Sequence, residues 1–244
     1  GGTQTYNGGL TTTSVGGTVT LNGSIVTSND AVVLGAVTLG SATTVDTNSS
    51  DTTGDITIAA VTGGSNSLTL STGDNVSNTD ISASGAISGV TTLTLSDVGG
   101  VANVTGVVSV TTLSVGNTVA NLQFTGNGST VTNAVSFAND GFLTLGQNGG
   151  TQTYNGGLTT TSVGGTVTLR GNYATSNDAV TFGAVTLDTN VAIDTNASSN
   201  AGDITIGAIT GGSHNLTLST GNNITGADIT ASGVISGLGN LELA

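Results

Sequence analysis

The chain has 244 residues, 40 of them glycine, with no proline and no cysteine, and carries a net charge of −13 from 14 acidic residues against one basic. Without cysteine there is no disulfide or thiolate metal centre. A lone Arg170 and no lysine leave almost nothing to neutralise phosphates, so nucleic acid and anionic membrane surfaces are excluded as partners. No apolar run reaches the roughly 18 residues that membrane insertion by a helix requires.

The first 21 residues, Gly1–Leu21, return letter for letter at Gly149–Leu169, an offset of 148. The register then holds without a gap to Ser96/Ala244, with 64 identities in 96 aligned positions. Many substitutions are bland, such as Val45 to Ile193, Val61 to Ile209 and Val76 to Ile224. A long period that preserves buried volume is the mark of a repeat architecture. We therefore divide the chain into a first repeat, 1–148, and a second, truncated copy, 149–244, of one continuous rod.

Within the period, apolar residues stand two apart in short β-branched runs: Val19/Leu21, Val37/Leu39, Ile56/Ile58, Leu68/Leu70, Leu93/Leu95, Leu113/Val115, Leu122/Phe124 and Leu143/Leu145. Each reads as a strand with one buried face. Gly and Asn punctuate them at Asn7-Gly8-Gly9, Gly16-Gly17, Asn22-Gly23, Gly63-Gly64, Gly99-Gly100 and Asn127-Gly128. Helical periodicity is missing, so the fold class is all-β. Eight pairs in 148 residues average 18.5 residues apart. That spacing predicts a right-handed parallel β-helix of seven or eight coils per period. Tandem β-sandwich modules are the alternative, disfavoured by an aromatic content of 3%.

Chemistry-bearing residues are few. His214 stands where the first copy has Asn66, and Arg170 where it has Asn22. Groups present in one copy only read as surface drift, serines lack a base, and no phosphate-binding glycine motif occurs, so the chain is expected not to be an enzyme. Asp30/Asp178, Asp46/Asp194, Asp55/Asp203 and Asp80/Asp228 persist in both copies beside turn residues. Stacked coils would bring such carboxylates together as weak calcium candidates, against the ordinary reading of Asx-turn capping. Threonine pairs, Thr3/Thr5, Thr11/Thr13, Thr18/Thr20, Thr151/Thr153 and Thr159/Thr161, suggest a flat ice-binding face, but the pairs do not recur once per coil, which favours exposed strand threonine. Sequons at Asn22, Asn75 and Asn223 are expected by chance in so Asn- and Thr-rich a chain.

The phrases TQTYNGGLTTTSVGGTVTLNG, AVTLGSATTVDT and GDITIAAVTGGSNSLTLSTG resemble the repeat text of giant bacterial exoproteins of the filamentous-haemagglutinin and autotransporter-passenger type. The resemblance covers essentially the whole chain. It implies export, a place at the bacterial cell surface or outside the cell, and a role in adhesion, biofilm or fibre formation. No secretion domain or receptor-binding tip of that family is recognisable here. The expected function is a structural or adhesive rod that self-associates into a fibre or belongs to a longer tandem array, with surface glycan or matrix as a further partner. A glycan- or ice-binding solenoid is the alternative, and a carbohydrate-active β-helix enzyme ranks below it.

Overall fold

In the computed structural model, which describes residues 1–73, 76–221 and 225–244, every helical or extended element is a strand and every strand pairing is parallel. Antiparallel β-sandwich modules are thereby excluded. The strands stack in three files, and the chain visits them in turn as a solenoid of about 11 coils. At the usual strand separation the first and last coils stand roughly 48 Å apart.

The first face starts with Gly2–Tyr6 on Gly23–Thr27, passes through Leu68–Ser71, and ends with Ile204–Ile206 on Ile229–Ala231. The second carries Val32–Leu34, Ile56–Ile58 and Ile81–Ala83, and later Leu143–Leu145. The third begins with Val19–Leu21 on Val37–Leu39 and closes with Leu216–Ser219 on Leu241–Leu243. The long strands Ile87–Ser96 and Val108–Val115 turn from the third face to the first, aided by a bulge at Ser88/Val90.

All eight apolar pairs lie in strands, yet the coil count differs from expectation. A coil uses three strands, and several of them, such as Gly2–Tyr6, carry no Val/Leu pair. Twenty successive strand passages separate Gly2–Tyr6 from its counterpart Thr151–Tyr154, which at three per coil is six and two-thirds coils. The 148-residue period therefore averages about 22 residues per coil rather than 18.5. Because twenty is not a multiple of three, the second copy is turned by one face. Val19–Leu21 lies on the third face, but its identical counterpart at 167–169 pairs with Leu143–Leu145 on the second. Ile56–Ile58 lies on the second face and Ile204–Ile206 on the first. The turn text moves with the strands: loop 47–55 joins first face to second, whereas loop 195–203 joins third face to first.

Inside, one continuous core of Val, Leu and Ile runs through the rod. Its largest members are aromatic: Phe137 packs between Phe124 and Tyr154, each ring pair 6.3 Å apart, and Tyr173 meets Phe182 edge-on at 5.8 Å. Tyr173 and Phe182 replace Ile25 and Leu34 of the first copy. The buried phenols are satisfied, Tyr154 Oη donating to Gln152 Oε1 at 3.0 Å and Tyr173 Oη to the Leu145 carbonyl at 2.7 Å. Corners hold a buried threonine ladder, in which Thr27 and Thr47 each donate to the carbonyl of the next threonine at 3.3 Å and Thr72 donates to Asp97 at 2.7 Å. The Thr47 and Thr72 carbonyls also accept the Asn29 and Ser49 amides, at 3.1 and 2.8 Å, so the hydroxyls are their second partners.

Where the second face turns to the third, successive backbones approach so closely that a Cβ on Gly85 would fall on the Ala59 carbonyl oxygen, one on Gly106 on that of Gly85, and one on Gly126 on that of Gly106. Gly106→Val is therefore expected to lower stability by about 1–3 kcal/mol through forced separation of two coils. Gly116→Ala, with nothing within 4 Å, serves as the control, and urea melts followed by circular dichroism compare the two. Burial holds the Tyr154 and Tyr173 phenols well above their ordinary value. A raised folded-state value means stability present below the unfolded tyrosine pKa of about 10 and lost as pH rises beyond it. In a Tyr6→Phe background, phenolate absorbance should grow only together with loss of the strand signal. Ionisation of both tyrosines in an intact fold would contradict this assignment.

Candidate functional site

Most of the carboxylates kept in both copies cap backbone. Asp55 Oδ1 accepts the Asp80 amide of the next coil at 2.9 Å, and Asp80 Oδ1 accepts the Val101 amide of the coil after at 2.7 Å. Asp203 does the same for the Asp228 amide at 2.9 Å. Asp46 and Asp194 close Asx turns on the amides of Asn48 and Asn196, at 2.8 and 2.9 Å. Asp30 and Asp178 take part through their carbonyls, which accept the Thr27 and Thr175 hydroxyls at 2.5 Å. Asparagines repeat the inter-coil cap, Asn121 on Phe142 at 3.1 Å and Asn127 on Thr151 at 3.0 Å. Among the described residues no three Asp, Glu or His side chains gather as a metal-holding group. The eight calcium candidates are spread along two edges, and five of them, Asp46, Asp55, Asp80, Asp194 and Asp203, cap backbone through their carboxylates. Removing one cap by Asp80→Ala should cost about 0.5–1.5 kcal/mol, the net worth of a hydrogen bond at a solvent-exposed site. Asp80→Asn, which keeps the acceptor, should recover most of it in the same melting assay.

The basic residues offer little chemistry. Arg170 Nε meets Asp188 Oδ2 at 2.7 Å, a half-exposed pair on adjacent coils whose first-copy counterparts are Asn22 and Gly40. Gly146, Gln147, Asn148, Thr125 and Thr189 line a shallow groove around it. His214 sits in a turn, held by its own backbone, its amide on the Gly211 carbonyl and its carbonyl on the Gly239 amide. Asp51, in a solvated loop, is held below the usual carboxylate value by the Thr53 hydroxyl and then the Thr53 amide. The sequon residues Asn75 and Asn223, and Ile224 of the paired substitution, lie outside the described residues.

What the threonine pairs did not predict is the outward face. Between the two inward apolar residues of most strands stands one outward side chain, and parallel register stacks these once per coil. On the first face they are Thr3, Ser24, Thr44, Thr69, Thr94 and Ser114 in coils one to six. Coils seven to eleven continue with Ser136, Thr159, Thr181, Thr205 and Thr230. None of these eleven is buried, and all are hydroxyls. The TxT pairs themselves do not recur once per coil; what recurs is the single central hydroxyl, Thr or Ser. The second face is interrupted by Val33, Asn103 and Gln123, and the third by Ala174 and Asp194. Comparison with protein-family models, curated proteins and solved structures gives no match to this chain.

Proposed function

We propose that this chain is a stiff, non-catalytic rod segment of an extracellular bacterial fibre, one that self-associates end to end. The observation that carries the reading is the continuous core and parallel ladder that run along the coils, with no group of three Asp, Glu or His side chains gathered among the described residues. Stability in such a solid is a sum of contacts between neighbouring coils, so stiffness needs no cofactor. The resemblance to filamentous-haemagglutinin-type repeats supports a surface or secreted location. Self-association is supported by the parallel ladder itself, because the edge of any coil pairs with a further coil stacked on it, whether of a second copy or of a longer array.

Cryo-electron microscopy of the concentrated chain at neutral pH tests this directly. The expected image is a filament with an axial repeat near 4.8 Å, the coil spacing. Dispersed particles about 50 Å long at every concentration would remove end-to-end assembly.

A further inference from the structure

We infer that the first face is an ice-binding surface. Thr11, Thr57 and Ser82 of the second face stay hydroxyls as Thr159, Thr205 and Thr230 of the first, and the positions that do change between the two copies change with the face. The one-face turn of the second copy moves the same strand text onto different faces. Val33, on the second face, becomes Thr181 when its strand arrives on the first. In the opposite direction, Ser24, Thr44 and Thr94 of the first face become Asn172, Ala192 and Glu242 once their strands lie on the third. Thr3 and Thr69 keep their threonine as Thr151 and Thr217. A preference of the strands for threonine would not follow the face. Val, Asn and Ala are accepted in the same central position elsewhere, so sheet formation alone does not require the hydroxyl.

A file of hydroxyls at a fixed repeat matches a ligand that also repeats. Each hydroxyl both donates and accepts, as water does, and threonine is stiff at χ1, so the file is ordered before contact. Water oxygens about 2.75 Å apart in tetrahedral arrangement put second neighbours about 4.5 Å apart. The coil spacing is about 4.8 Å, so the two rows stay within about 1 Å of register over four coils. The file itself has no charge; carboxylates line its two corners, Asp30, Asp46, Asp55, Asp80 and Asp97 on one edge and Asp178, Asp194, Asp203 and Asp228 on the other. A polysaccharide fits less well, because five of the seven rings are buried, at Phe124, Phe137, Phe182, Tyr154 and Tyr173, and the half-buried Tyr6 and Phe142 are not part of the file. A second copy fits less well too, since each carries −13 and the face offers no opposite charge.

Slow growth of ice from a solution of the full chain, with the fraction incorporated measured against an unrelated acidic protein, tests the inference. Incorporation of the unsubstituted chain is expected. The triple variant Ser24→Asn, Thr44→Ala, Thr94→Glu uses residues that the homologous strands already tolerate and should be excluded from the ice. Thr144→Ala with Thr168→Glu, on the second face, should be incorporated as before. Circular dichroism checks that both variants keep the strand signal. Exclusion of the unsubstituted chain, or equal loss in the two variants, overturns the assignment.

Discussion

Parallel backbone hydrogen bonding between successive coils is the constraint on which everything else depends. Each coil closes its ladder with the coil before and the coil after, so side chains must alternate in and out on all three faces, and every corner must let two backbones approach to strand separation. The inward positions are filled mostly by Val, Leu and Ile, with five aromatic rings in the later coils. The corners take Gly where backbone meets backbone, and Thr, Asp and Asn where a carbonyl or amide would be stranded. Function is confined to what remains, the outward residues and the loops.

That division explains how much was legible in the sequence. The apolar pairs two apart, Ile56/Ile58 and Leu143/Leu145 among them, identify strands through their own period, and absence of helical spacing leaves only β architecture. Counting those pairs misjudged the coil because strands such as Thr151–Tyr154 bury Gln152 and Tyr154 in place of two aliphatic residues. Gln152 is acceptable there because its amide donates to the Phe124 carbonyl at 2.9 Å while its oxygen accepts from Tyr154. No local rule marks a glutamine as inward-facing.

The outward file was hidden for a related reason. The text V-T-L, I-T-I and L-T-L shows a threonine between two apolar residues, but which threonines align depends on loop lengths that vary between coils. Loop 47–55 and the single residue Asn22 both serve as corners. Only register, fixed by pairing across the coils, makes Thr94 a neighbour of Thr69. The aspartates were legible as turn residues, while the inter-coil reach of Asp55 and Asp80 was not, since it spans 25 and 21 residues.

The rotation of the second copy bears on how such a chain grows. If each face demanded its own text, a duplication would be harmless only when it added whole coils. Here a 64-in-96 match works in two orientations, because all three faces share one inward rule and each repeated turn is accepted at a second corner. The unit of tolerated insertion is therefore a third of a coil, averaging 148 residues over twenty passages, or a little over seven residues. Recombination within genes of this kind is three times more forgiving than the coil length suggests.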